Sequence, residues 1–374
     1  MSSGGTAPSD LSSLRVLIVH EWLVTWAGSE RCVEQLLVLF PQADLVVGVM
    51  RPEMRDLNDV TRRARESWLG RVPGARRHHR WFLLLYPLAF ASVDTRAYDL
   101  VISSSHAFAK CVRTHGRTKH LCYCYSPPRY LWDLFEAHQE EGGLGAVALR
   151  LFAPLLRWVD RRAAARVHRF VGISRYIAER IKRAYGVEAA VVYPPVSAKP
   201  AAEQGTVPRR GLLSFGRLVP YKRVDLAIHA ANALGLELTV AGNGPERPRL
   251  EALAGPTVRF VGEVSEEDAG ALMEQSQLLV FCAEEDFGIA PLEANAHGLP
   301  VVAYRRGGAV ETLIDGLTAE FFDDLSPSGV ISAIDAARTH EWNDQALREN
   351  SARFSTACFL DGVARESRTM LAFD

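Results

Sequence analysis

Two glutamates in the stretch FCAEEDFGIAPLEANAHGLPVV (281–302), Glu285 and Glu293, stand eight positions apart on either side of a Phe-Gly turn, within a segment that otherwise reads as core. The run LLVFC before them has the pattern of a buried strand. IAPLEANAHG after them has the pattern of a helix closed by His297 and Gly298. This places Glu285 in a strand-to-helix loop and Glu293 inside the helix. At ~1.5 Å of rise per helical residue the two carboxylates lie up to ~12 Å apart, with the free backbone N–H groups near Gly288 and Ile289 between them. An anion site flanked by two acceptors of hydroxyl groups matches a sugar nucleotide, with sugar hydroxyls at one end, a diphosphate in the middle and ribose hydroxyls at the other. Taken alone, such a pair of acids is more often solvated surface.

A second loop changes the balance. SFGRLVPYKRVD (214–225) follows a strand with Gly216, Arg217 and Lys222, and two fixed cations there can neutralise a diphosphate, although a plain turn with surface charge has the same composition. His106 ends the apolar run DLVISSS and can serve either as a structural hydrogen bonder or as a group beside the reacting atoms. Glu266 opens the acidic run SEEDAG, which also reads as a helix N-terminus.

These loops need a frame. Continuous apolar runs at 15–19, 44–49, 99–103, 120–125, 169–174 and 189–193 alternate with helical patterns, the signature of strands covered on both faces of a parallel sheet. After a proline-rich stretch at 194–211 the alternation restarts with runs at 212–216, 236–242, 258–262, 278–282, 299–304 and 318–322. The expectation is an α/β protein of two doubly wound, Rossmann-like parallel-sheet domains facing across a cleft. The boundaries run as a disordered tail at 1–14, a first domain at 15–195, a linker at 196–211, a second domain at 212–353 and a terminal helix at 354–374 returning to the first domain.

Bulk properties fit. The chain has 374 residues, 48% hydrophobic and 23% charged, with a formal net charge of -1. That length suits two domains, and the charge balance gives no global attraction to nucleic acid. The polar start MSSGGTAPSDLSSL lacks the pattern of a secretory leader, and the longest apolar run, WFLLLYPLAFA, is too short to span a bilayer, so a cytoplasmic protein is expected. Six cysteines with no CxxC pair suit reduced thiols, with Cys32, Cys111, Cys282 and Cys358 as small core residues. No DXD pair stands in a strand-end loop, Asp323 and Asp324 falling far from the others, so neither metal nor other cofactor is expected.

In RVPGARRHHRWFLLLYPLAF (71–90), arginines and histidines abut an aromatic and leucine cluster. That composition suits either a segment resting on anionic lipid at a membrane surface or a basic helix packed on the first domain.

Together these motifs resemble the retaining glycosyltransferases of family 4, which have the two-domain GT-B fold. Glu285 to Glu293 matches that family's E-x7-E motif with Asp286 in place of a usual glycine, GRLVPYKR matches its GR...K loop, and VAGNGPE and FVGEVSEED match other strand ends of its second domain. HEWLVTWAGSERCVEQLL (20–37), YDLVISSSHAFAKCV (98–112), CYCYSPPRYLWD (122–133) and VGISRYIAERIKRAYG (171–186) look like its branch of mannosyltransferases that build O-antigen and related polysaccharides.

The resemblance implies transfer of a hexose, mannose first from GDP-mannose, to a saccharide or lipid-linked acceptor, with transfer from a UDP-sugar to a small-molecule or glycolipid acceptor as the alternative. It puts Glu285 on the donor sugar, Glu293 on the ribose, Arg217 and Lys222 on the phosphates, and Gly216, Gly242, Val264, Glu266, Phe287, Gly288 and Ile289 around the donor. Gly28 would let the first helix approach the diphosphate, unless it is merely a helix-start glycine. His106 would stand near the reaction centre, and Arg129, Tyr130, Trp132 and Asp133 would line the acceptor side. No carboxylate is left over as a nucleophile, and the resemblance implies a same-face reaction in which the leaving phosphate takes the acceptor's proton. An epimerase and a catalytically silent scaffold share the fold. The first needs additional acid and base residues, and the second would have lost the motifs found intact here.

Overall fold

The computed structural model describes residues 11–132, 143–196 and 209–372. The chain divides into two compact units, 1–195 with 357–374, and 196–356.

In the first unit the order is β1 (Val16–Leu23), α1 (Gly28–Leu39), β2 (Asp44–Met50), α2 (Asp59–Arg63), β3 (Ala64–Glu66), α3 (Tyr86–Ala91), β4 (Leu100–Ser105), β5 (Lys119–Cys124), α4 (Gly143–Ala164), β6 (Arg169–Gly172), α5 (Arg175–Tyr185) and β7 (Ala189–Val191). All strands pair in parallel in the order β3-β2-β1-β4-β5-β6-β7. The sheet is buried on both faces, as the unbroken VLIV and LVIS runs require; Leu17, Ile18, Val101 and Ile102 have no exposed surface.

The second unit repeats the plan with β8 (Leu212–Phe215), α6 (Val224–Leu234), β9 (Leu238–Ala241), α7 (Arg247–Leu253), β10 (Val258–Gly262), α8 (Glu266–Gln275), β11 (Leu278–Phe281), α9 (Ile289–Ala296), β12 (Val301–Tyr304), α10 (Ala309–Thr312), β13 (Ala319–Phe322), α11 (Pro327–Thr339) and α12 (Asp344–Ala352). Its strands are parallel in the order β10-β9-β8-β11-β12-β13. One core cluster holds Ile228, Val240, Val280 and Ile334, and another holds Leu213, Leu279, Val301 and Phe321. The last helix, α13 (Thr356–Ala372), belongs mostly to the first unit, where Glu366 pairs with Arg169 of β6 and Phe359 packs edge-on against Tyr123 of β5.

In each sheet the chain reverses its direction of travel once, between β1 and β4 and between β8 and β11. Loops leaving the carboxyl ends of strands on either side of such a reversal splay apart and open a crevice. Arg217 and Lys222 follow β8, Glu285 and Glu293 follow β11, and His106 follows β4, all beside these two positions, whereas Glu266 follows β10 at the edge of its sheet.

Several expectations are corrected. Residues 11–14 are no disordered tail: Leu11 and Leu14 are buried, and Gln42 Nε2 donates to their carbonyls at 3.3 and 3.0 Å. Residues 1–10 and most of the linker, 197–208, lie outside the described residues. Segment 71–90 is no continuous helix, being broken into the turn His79–Phe82 and α3, with Arg76 held on Glu66 at 2.6 Å. Cys358, expected in the core, is exposed on α13; none of the six cysteines is in a disulfide. The acidic pair at 323–324 has structural roles, Asp323 with Arg305 and Asp324 with Ser326, the cap of α11.

Candidate active site

In the second unit the ends of β8, β9 and β10 are tied through backbone alone. Gly216 N–H donates to the Ala241 carbonyl at 2.9 Å and Gly242 N–H to that of Gly262 at 2.6 Å. Gly242 has φ 133°, and a Cβ there would overlap the Gly216 carbonyl oxygen. Only glycine suits this position, on both counts. The loop leaving β8 runs through exposed Arg217 into a 3-10 turn, Pro220–Lys222. Arg223 follows in a left-handed conformation, φ 50°, braced by both carboxylate oxygens of Asp225 at 3.2 Å. The brace helps a non-glycine residue hold a backbone it seldom adopts.

This turn delivers Lys222 Nζ onto the Glu285 carboxylate, in an ion pair between two largely buried side chains. Lys222 Nζ also stands 5.7 Å over the Phe281 ring. Sequence spacing places these two groups as separate contacts, one for phosphate and one for sugar. The structure instead joins them across 63 positions, making one charged element at the reversal point. A shallow hollow beside it is lined by Ser214, Phe215, Gly216, Arg217, Lys222, Phe281 and Ala283.

Gly288 caps α9 with φ 84° and without a side-chain acceptor for the first helical N–H groups. Along α9 the partly accessible positions are 289, 290 and 293, all on one face, while Leu292, Ala294 and Asn295 are buried. Glu293 and the open helix start therefore share an accessible face. Phe287, read as a donor contact, has its ring buried against Phe354 at 5.7 Å between centroids, and the residue as a whole is buried. Val264 packs on the core, and Glu266 is the exposed first residue of α8, where Ser265 caps the helix.

Sequence reading missed Gly307 and Gly308. A Cβ on either would strike the backbone of Glu285 or Phe287, and Gly308 N–H donates to the Glu285 carbonyl at 2.7 Å. The pair lets the loop after β12 press on the Glu285 loop from behind; RRGG, an adjacent glycine pair after a strand, was the available signal.

In the first unit, Gly28 opens α1 as expected. Beside it lies a buried chain of hydrogen bonds: His20 Nδ1 with Ser104 Oγ at 2.9 Å, Ser104 with Tyr125 Oη at 2.9 Å, and Tyr125 to the Ser29 carbonyl at 3.0 Å. Glu30 takes the Ala27 N–H at 3.0 Å and the Ser29 hydroxyl at 2.9 Å. Burial raises the Glu30 carboxyl, but its bonds with His20, Ser29 and its local backbone outweigh that and hold it below the usual range.

His106 follows β4, its ring edge-on to Trp22 at 4.7 Å. Desolvation lowers its pKa, against the pull of Glu21, so the imidazole is neutral near pH 7. The turn that carries it is fixed by Glu21, another residue missed from sequence. One oxygen of this fully buried carboxylate accepts from Ser105 Oγ at 3.0 Å, Ala107 N–H at 2.8 Å and Ala109 N–H at 2.7 Å.

Of the residues read as lining the acceptor side, Arg129 is half-buried, whereas Tyr130 packs on the core of the first unit with its hydroxyl buried, which removes it from a ligand face. Trp132 is given to internal structure: its indole N–H donates to Asp160 at 3.0 Å, and Asp160 also holds Tyr185 and the buried Lys110. This takes its polar edge away from any acceptor. Asp133 lies outside the described residues.

Residues 26–199 match the family model described as Glycosyltransferase Family 4, and residues 202–354 match the one described as Glycosyl transferases group 1. Each half of the chain thus matches a glycosyltransferase family model, and its two parallel-sheet units have the GT-B fold. Among its relatives is the GDP-mannose-dependent alpha-(1-6)-phosphatidylinositol monomannoside mannosyltransferase of Mycolicibacterium smegmatis, 27% identical over 212 residues, 48% of this chain and 56% of that protein. The chain thus spans just over half the length of that curated relative. Among solved structures it resembles sucrose-phosphate synthase from Thermosynechococcus elongatus, with a TM-score of 0.73 at 17% identity over 96% of this chain and 100% of that one. It also resembles Anabaena HepE in complex with UDP-glucose, with a TM-score of 0.70 at 15% identity over 95% and 99%.

Proposed function

We propose that this protein is a retaining hexosyltransferase, independent of metal, that moves a hexose from a nucleotide diphosphate sugar to a saccharide or lipid-linked acceptor in the building of polysaccharide or glycolipid. The observation that carries this reading is the grouping at one sheet reversal of Gly216, Arg217, the Lys222–Glu285 pair and an uncapped helix start whose accessible face bears Glu293. Fixed cations and free N–H groups suit a diphosphate, and carboxylates on either side suit hydroxyl groups.

In this reading Arg217 and Lys222 stabilise the charge that grows on the leaving diphosphate, an effect that can supply several kcal/mol when the groups are held in place beforehand. The leaving phosphate oxygen takes the proton of the acceptor hydroxyl while the new glycosidic bond forms on the same face. Glu285, committed to Lys222, orients sugar hydroxyls and is a poor nucleophile. The first unit has its own candidates, neutral His106 for a hydrogen bond to a sugar hydroxyl and Gly28 for the close approach of a phosphate. Val264, Glu266 and the backbone at Gly288 and Ile289 complete the donor contacts, and Arg129 is the first unit's candidate for the acceptor. Segment 71–90, with Trp81 outward, touches anionic membrane.

Mannose from GDP-mannose is the first choice, supported by the activity named for the mycobacterial relative. A UDP-sugar is the second reading, favoured by the UDP-glucose bound to the Anabaena neighbour. A panel of GDP and UDP sugars tested for protection against heat separates them. A true donor at 100 times its dissociation constant adds ~2.7 kcal/mol of stability. If no nucleotide sugar protects the protein, the proposal is wrong.

A further inference from the structure

Helix α4 is apolar on two opposite sides. Ala153, Leu156 and Ala163 face the core of the first unit. On the other side Leu151 is 73% exposed, Leu155 53% and Trp158 60%, at spacings of four and three that align them in one stripe along the helix. A surface helix of a globular protein normally turns polar residues outward. The charges here are one-signed as well. Arg150, Arg161 and Arg162 are exposed, Arg162 lies 5.8 Å over the Trp158 ring, and the helix's one acid, Asp160, is buried on Lys110.

A matching stripe lies close by. Both α3 and α4 pack against the short turn Ala109–Cys111, and on and just before α3 Trp81 is 82% exposed, with Leu84 and Leu88 also outward and Arg77 and Arg80 beside them. Two neighbouring apolar stripes edged by arginines exceed the scattered exposure expected of a soluble surface. No helix among the described residues is long and apolar enough to cross a membrane, so these elements are suited to lie on a bilayer rather than through it.

We propose that the outward face of α4, together with that of α3, docks on an anionic phospholipid surface, with Leu151, Leu155, Trp158 and Trp81 entering the headgroup boundary and the arginines meeting lipid phosphates. This adds a second element to the contact proposed for 71–90 and does not depend on the donor assignment. Charge decides between occupants. A second copy paired by a two-fold axis would bring the arginine-edged stripe of α4 onto itself with no exposed acid of that helix to answer it. An anionic lipid surface answers every arginine.

The test is cosedimentation of the full chain with vesicles of phosphatidylcholine alone and of phosphatidylcholine mixed equally with phosphatidylglycerol. The wild type should bind the mixed vesicles far more tightly and be released by salt. Arg150→Gln with Arg162→Gln should weaken binding roughly thirtyfold, from the usual contribution of two basic side chains. Leu151→Ser with Leu155→Ser and Trp158→Ser should abolish it while leaving the thermal transition in place, since these side chains are exposed. Wild-type protein that ignores the mixed vesicles, or variants that bind as well as wild type, would overturn the proposal. So would a concentration-dependent dimer that the serine variant abolishes, which would assign the face to a second copy.

Discussion

Glu21 carries a sharp test of how the first unit builds its site. One oxygen of this buried carboxylate receives three hydrogen bonds, from the Ser105 hydroxyl and the N–H groups of Ala107 and Ala109, which fold the turn bearing His106. Hydrogen bonds to a charged group are worth roughly 1 kcal/mol more than neutral ones, so Glu21→Gln, which keeps an acceptor but loses the charge, should cost about 3 kcal/mol. Glu21→Ala leaves two buried N–H groups without an acceptor while the Ser105 hydroxyl can rotate away. At about 1–3 kcal/mol for each orphaned group, the cost is about 2–6 kcal/mol, before any cavity is counted. Urea unfolding measures both variants, and hydrogen exchange reads the Ala107 and Ala109 amides directly. Glycosyl transfer should fall more steeply than stability, because His106 loses its position. Glu21→Ala within about 1 kcal/mol of wild type, with both amides still protected, would refute the reasoning.

Other expectations follow from the same geometry. Burial pushes His79 down to about 4 and His120 down to about 3, whereas an unfolded histidine titrates near 6.5. Below about pH 6.5 the unfolded chain binds protons the native chain refuses, so stability falls on acidification by about 2 kcal/mol per such histidine at pH 5. His120→Asn should flatten the slope of unfolding free energy between pH 7 and 5, and an unchanged slope contradicts the assignment. Gly242→Ala forces a side chain into a φ of 133° against the Gly216 carbonyl, so it should lower the melting temperature and raise the donor KM; an unaltered KM would count against this link to the site. Transfer should survive EDTA, whereas its loss and rescue by a divalent ion would replace the cation mechanism with a metal one.

Much of this architecture was legible because buried parallel strands leave continuous apolar runs, as at 16–19, 278–281 and 301–304, and because a strand followed by a glycine and then a helix marks a site-bearing loop. The separation of Glu285 and Glu293 by one helix start also followed from spacing alone. Strand β3 escaped because its Ala-Arg-Glu sequence forms a half-exposed edge with no apolar signal. Contacts between distant loops escaped for a different reason. The Lys222–Glu285 pair, the Glu21 bonds to 105–109 and the fit of Gly307 and Gly308 behind Glu285 arise where strand ends converge in space, and local periodicity says nothing of which loops meet. Trp132 shows the reverse error: an aromatic placed by resemblance on a ligand face whose N–H is used by Asp160.

The central claim is that the open start of α9, with Glu293 on its accessible face and Lys222 and Glu285 joined beside it, holds an activated sugar. Calorimetric titration of wild type and Glu293→Ala with the nucleotide sugar that best protects the protein tests this most directly. Loss of a charged hydrogen bond to ribose should weaken binding roughly 10- to 150-fold, with the melting temperature of the free protein little changed. Equal affinities for the two proteins would contradict the account.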